Sequence, residues 1–157
     1  MESRADEMPE LQIVANFLAP AYADHSTLPL LVCLYTGTAI PRFSAPMLRI
    51  PAPPAGAVLD ATFPRSYRNA MLTNPETHDG AILAARKTPS DRYAVTGWSY
   101  RLYPPNAVDP YTPNRGSAFH SCLAMSALHE IDGVILFARG ERFIFVRGKV
   151  ASGQGDW

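Results

Sequence analysis

Apolar residues fall along this chain in short blocks, and their spacing separates helices from strands. Leu11, Val14, Phe17 and Leu18 recur near helical spacing behind Pro9, a residue suited to a first helical turn. Pro20 is expected to stop that helix. Residues 28–35 are almost wholly apolar, as a strand buried on both faces requires, and Gly37 turns the chain. Residues 38–40 have the length of a short partner strand. The segment 41–56 carries five prolines and few periodic positions, and reads as an ordered surface loop. Residues 65–72 leave room for two helical turns, ended ahead of Pro75.

Further along, residues 81–85 form a short strand, Ser90-Asp91 a turn, and residues 93–102 a longer strand with Gly97 at a bulge. Pro104, Pro105, Pro110 and Pro113 make residues 103–115 a loop. Ser117 is the predicted N-cap of a helix reaching His129, with Phe119, Leu123 and Leu128 buried. Residues 134–138 and 143–146 are strands joined through a turn at Arg139-Gly140-Glu141, and residues 151–157 are expected to fray. Helices between strands, closed by a hairpin, predict an α/β fold: a single domain with a mixed β-sheet flanked by helices. Residues 1–27 are then an N-terminal helix and lead-in, 28–150 the domain proper and 151–157 a tail.

Composition agrees with a globular domain, at 157 residues with 47% hydrophobic and 18% charged positions. Lys and Arg balance Asp and Glu at 14 each, so no net field points to a nucleic-acid partner. Five basic residues, Arg86, Lys87, Arg92, Arg101 and Arg115, still fall within thirty positions, which suits either a solvated rim or a local anion site. Cys33 and Cys122 lie far apart in apolar contexts, so buried free thiols in a reducing compartment are expected. The polar, acidic start is no signal peptide, and the longest apolar run is too short to span a bilayer. These features predict a cytoplasmic protein without a membrane partner.

Chemistry concentrates at Thr77-His78-Asp79-Gly80-Ala81. Asp79 supplies a charge for a metal or a sugar hydroxyl, Gly80 lets a ligand approach the backbone, and Ala81 leaves room above it. The same tripeptide is an ordinary turn signal, in which Asp79 bonds its own backbone. Gly116 and Ser117, opening a helix, would present backbone N–H groups to an anion. His120, in the first turn, either contacts a phosphate or packs and caps. His129-Glu130 lacks the second histidine of a zinc-protease helix. Nothing in the spacing demands that His78, Asp79 and His120 meet as a metal site.

In their order these motifs resemble the diadenylate cyclase domain family, whose members condense two ATP into cyclic di-AMP. His78-Asp79-Gly80-Ala81 matches the family's first signature, an Asp-Gly-Ala at the head of a strand, usually preceded by His. Asp91 through Gly97 to Leu102-Tyr103-Pro104 fits the strand that follows. Gly116-Ser117 stands where the family has Gly-Thr, His120 at the centre of its Arg-His-Arg, and Asp132-Gly133 at its Asp-Ala. The likeness spans residues 28–150, most fully from residue 74 onward.

The resemblance implies a diadenylate-cyclase-like fold and ATP or a cyclic dinucleotide as ligand. It also implies a Mn or Mg ion at Asp79, with Gly80, Ala81, Gly116, Ser117 and His120 around the nucleotide. Asp79 would be the catalytic residue, orienting or activating the ribose 3′-hydroxyl, in a homodimer of facing ATP-loaded protomers. Phe119 and Ser121 occupy the family's two arginine positions. Losing two charge-assisted bonds removes on the order of 3–6 kcal/mol, or about 10²–10⁴ in affinity or rate. Arg115, just upstream, is the candidate replacement. The expectation is an adenine-nucleotide-binding domain with weak or lost condensation, acting as a sensor or regulatory module. The alternatives are an active cyclase with a rearranged phosphate clamp, and a protein-interaction domain presenting its proline-rich loops with Tyr100, Tyr103 and Tyr111.

Overall fold

The most apolar run becomes the middle of the molecule. In the computed structural model, which describes residues 4–105 and 116–154, β1 (Leu30–Thr36) is the central strand of a seven-stranded sheet. It pairs in parallel with β3 (Ala81–Arg86) on one side and antiparallel with β5 (Ile131–Ala138) on the other. Beyond β3 lie β4 (Ala94–Leu102) and the edge strand β2 (Ser44–Pro46); beyond β5 lie β6 (Glu141–Val146) and β7 (Lys149–Gln154). The order is β2-β4-β3-β1-β5-β6-β7, a mixed sheet with one parallel pair.

Helices cover both faces, which is why β1 is apolar throughout rather than alternating. Leu30, Val32 and Leu34 point into a core built with α1 (Arg4–Asp24) and α2 (Phe63–Thr73). Cys33 and Tyr35 point the other way, into a second core under α3 (Ser117–Ser126), where Phe119, Cys122 and Met125 are buried. Full burial of one such aliphatic or aromatic side chain is worth about 1.5–3 kcal/mol, so each helix is held by its own apolar stripe. The single-domain α/β expectation, a mixed sheet flanked by helices, is met.

Several local expectations are corrected. Pro20 does not stop α1, which runs on to Asp24 with Pro9 and Pro20 inside it. Burial of Ala21 and Tyr22, the latter stacked on Phe137 at 5.2 Å, outweighs the roughly 3 kcal/mol that an internal proline costs. Gly116, with φ +96°, rather than Ser117 occupies the N-cap of α3, and the helix ends at Ser126 instead of His129. Leu123 and Leu128 are half-buried, while Phe119 is in the core. Residues 38–40 form no strand; the short strand of this region is β2, inside the proline-rich segment read as loop, and it pairs with β4 rather than β1. The expected frayed tail is a strand as far as Gln154. Arg147 and Gly148, both at positive φ (53° and 76°), turn the chain back so that β7 satisfies the open edge of β6.

Two expectations at the site end of the sheet hold. The β3–β4 register slips between Ala81 and Leu83 and again between Leu83 and Ala84, around Gly97, so the bulge is there. It leaves Ser99 fully buried at φ +58°. Arg139 and Gly140, at φ 55° and 75°, make the two-residue turn of the β5–β6 hairpin.

Candidate functional site

The site is assembled at the end of the sheet where β1 and β3 begin. Asn74 ends α2 and starts a single 3₁₀ turn, Pro75–His78, by accepting the Glu76 N–H on its side chain at 3.0 Å. That turn buries Thr77 and delivers Asp79 to the lip of β3, its side chain 69% exposed and its N–H bonded to the Glu76 carbonyl. The His78 Nδ1 donates to the Pro75 carbonyl at 2.7 Å. The partner of Asp79 is Arg49, whose Nη2 lies 3.4 Å from Oδ2.

Gly80 is required by the chain itself. Its φ is +90°, and an added Cβ would sit 2.8 Å from the Tyr100 carbonyl oxygen and 2.3 Å from the Met47 methyl. The space read from sequence as room for a ligand is filled by the backbone of β4 and by Met47. Ala81 follows, buried at the head of β3.

Asp79, Gly80 and Ala81 form one wall of a cavity of about 700 Å³. Tyr100, Arg101 and Leu102 of β4, Leu28 and Pro29 ahead of β1, and Leu136 of β5 complete its sides, while Ser117, Ala118 and Ser121 of α3 close it from above. Ser117 and Ala118 also border an adjoining cavity of about 560 Å³, lined by Gly116 and Arg139. Thus Asp79, Gly80, Ala81, Gly116 and Ser117, predicted from two distant segments, meet around two contiguous cavities. His120 lines neither; its ring stands edge-on to Phe119 at 5.8 Å. Arg115 lies outside the described residues.

Phe119 and Ser121, set above beside the two arginines of the diadenylate cyclase signature, carry no cation to the cavity. Phe119 packs edge-to-face against Phe143 and Phe145, at centroid distances of 5.3 and 5.0 Å. Ser121 lines the cavity with a hydroxyl. Arg101 lines it with an exposed guanidinium. Arg49, from the proline-rich segment, is the cation that sequence reasoning missed. It lies between Leu48 and Ile50 with no periodic signal around it.

Arg86 belongs to a different structure. It sits at the far end of β3, about 17 Å from Ala81 along a six-residue strand. There it pairs with Glu10, donates to Thr36 Oγ1 at 3.0 Å and stacks over the Tyr93 ring at 4.7 Å. Asp132 completes the group, accepting from Thr36 Oγ1 at 2.6 Å and from the Tyr93 hydroxyl at 2.8 Å. Burial, and then the Asp132 charge, push the Tyr93 hydroxyl well above its ordinary range. Burial, then Asp132 and Glu130, raise the Cys33 thiol to about 12. Cys33 and Cys122 are free and buried, as expected.

Chemically, the cavity combines apolar walls, the hydroxyls of Ser117 and Ser121, the N-terminus of a ten-residue helix and a carboxylate–guanidinium lip. Such a set fits a ligand with a flat apolar body and an anionic end. The exposed carboxylate of Asp79 suits a hard divalent cation that takes one or two carboxylates and completes its shell from ligand phosphates. Among the described residues no group of three or more His, Cys, Asp or Glu gathers to hold a metal by itself, and no helix is long and apolar enough to cross a membrane.

No family model matches the chain, and no curated protein matches it in sequence. Solved structures do match in fold. One is a Bacillus cereus protein described as a hypothetical membrane spanning protein, with a TM-score of 0.60 and 16% identity over 87% of this chain and 61% of that one. The chain therefore spans about three fifths of that protein. Another is a double mutant of DacA from Staphylococcus aureus, with a TM-score of 0.53 and 13% identity over 91% of this chain and 87% of that one. At these identities, what the chain shares with both proteins is the fold.

Proposed function

We propose that this protein is an adenine-nucleotide-binding domain with a diadenylate-cyclase-like fold, in which condensation of ATP to cyclic di-AMP is weak or lost and binding serves a sensor or regulatory role. The observation that carries this reading is convergence: Asp79-Gly80-Ala81 and Ser117, from segments almost forty residues apart, line one cavity of nucleotide size. The fold likeness to DacA supports it.

In this reading Leu31, Leu102 and Leu136 take the apolar face of the base, and the first turn of α3 turns its N–H groups to the phosphates. Asp79 holds a Mg or Mn ion together with those phosphates; the bound ion supplies charge neutralisation. Phe119 would account for weak or lost turnover, because a ring in the aromatic core can neither bond nor neutralise a phosphate. Condensation needs two loaded copies face to face, so any residual turnover rises with protein concentration.

Mass spectrometry of products after incubating concentrated protein with ATP and Mn²⁺, beside an Asp79→Asn control, tests the reading together with binding. Retained ATP binding with little or no cyclic di-AMP is expected. Abundant cyclic di-AMP made by the parent alone would establish an active cyclase instead. Absence of binding to both ATP and cyclic di-AMP would leave a protein-interaction domain.

A further inference from the structure

We infer that Arg49, which lies beside the cavity and meets it through its pairing with Asp79, binds the ligand's phosphates, standing in for the two arginines that Phe119 and Ser121 replace. The inference rests on the nucleotide-binding reading above and names the residue that recognises the ligand's charge.

The side chain is built into place. The segment carrying it is fastened on both flanks: the Met47 N–H bonds the Ser99 carbonyl at 2.9 Å, and the Pro51 carbonyl accepts from Asn74 Nδ2 at 3.1 Å. Between those anchors Leu48 and Ile50 point to solvent, 81% and 79% exposed, so alternation turns Arg49 inward, where it is 14% exposed. Its Nε donates to Ser99 Oγ at 3.3 Å, and that hydroxyl donates in turn to the Thr77 carbonyl at 3.0 Å. Ser99 is available for this because the β4 bulge buries it at φ +58°.

With Nε held, the two Nη atoms of the fork are left for acceptors on the Asp79 side of the cavity. Nη2 stands 3.4 Å from Asp79 Oδ2 and Nη1 3.7 Å from Glu76 Oε2. Both contacts are long and both carboxylates are exposed, so they hold the fork weakly. A planar guanidinium with one edge anchored and the other loosely paired is pre-organised for phosphate oxygens. An ion bound by Asp79 would draw that carboxylate's charge to itself, freeing the fork for the phosphates the ion carries. Arg86 is committed at the opposite end of β3; Arg101 lines the cavity but is exposed and, among the described residues, has no such anchor to pre-organise it.

Equilibrium binding of ATP with Mn²⁺, and separately of adenosine, to the parent, Arg49→Gln and Glu76→Gln tests this. Arg49→Gln should weaken ATP roughly 10–100-fold while adenosine changes by less than about twofold. The salt dependence of ATP binding should flatten in that variant. Glu76→Gln, an exposed change that leaves folding intact, removes a competitor for the fork and should strengthen ATP by about 2–5-fold with adenosine unchanged. Equal loss of ATP and adenosine in Arg49→Gln would overturn the inference and make Arg49 a tie for its loop. So would ATP affinity that neither variant moves. A parent that binds neither ligand would overturn the nucleotide reading underneath.

Discussion

Replacing Gly80 by Ala should unfold this protein more readily than it empties its cavity. The residue sits at φ +90°, where an L side chain is strained by about 1–3 kcal/mol. The new methyl would also stand 2.8 Å from the Tyr100 carbonyl, a backbone atom paired into the sheet opposite Ala81, and accommodating it costs about 1–3 kcal/mol more. The 2.3 Å approach to Met47 adds little, because that atom is the free end of a flexible chain. The sum, about 2–6 kcal/mol, is a large part of the roughly 5–15 kcal/mol that holds a domain folded. Urea unfolding followed by circular dichroism reads it directly: with a slope near 2 kcal/mol/M, a 4 kcal/mol loss moves the midpoint down by about 2 M. Adding Met47→Ala should restore less than about 1 kcal/mol. A Gly80→Ala protein within about 1 kcal/mol of the parent that has lost nucleotide binding would refute the reasoning, showing that the glycine serves a ligand.

Other consequences follow from the same geometry. Phe119→Arg introduces the arginine of the diadenylate cyclase signature that the chain resembles but places a charge in the aromatic core, so it should lower stability by about 3–5 kcal/mol and produce no turnover. Ser121→Arg, at the cavity wall, should fold normally and tighten ATP in a titration. Asp132→Ala removes the acceptor of the Thr36 and Tyr93 hydroxyls at the other end of the sheet. It should cost about 2–4 kcal/mol in urea unfolding while ATP binding to the folded protein is unchanged. The Cys33 thiol, raised from 9.0 to about 12, is protonated in the folded state, so its contribution is complete below pH 9 and is lost as pH rises toward 12. Stability should fall across that window by up to about 1.4 kcal/mol per pH unit for this one proton, less steeply in Cys33→Ala. Neither buried thiol should react with a disulfide reagent until the protein unfolds.

Elements with a strong apolar period are legible in the sequence: β1, α2, β4 and the β5–β6 hairpin lie close to where spacing puts them. The errors have a common cause in tertiary burial. Nothing local says that α1 survives Pro20, because the compensation comes from Tyr22 lying on Phe137 in a strand more than a hundred residues away. Likewise β7 has too small and polar a sequence to read as a strand, and forms because β6 offers it an unpaired edge. At the site, Asp79, Ala81 and Ser117 could be found from motif order, and the cavity brings them together. Arg49 could not, since what places it is a bulged serine on β4 and two backbone ties across the sheet. Gly80 was found for one reason and is needed for another.

The central claim is that the cavity over β3 holds an adenine nucleotide. Its most direct test is a calorimetric titration of ATP with Mn²⁺ into the parent and into Ala118→Trp, which fills the cavity from an exposed position on α3. Saturable binding to the parent and none to an equally stable Ala118→Trp is the result this account predicts. No heat from the parent, or equal binding by both proteins, would contradict it.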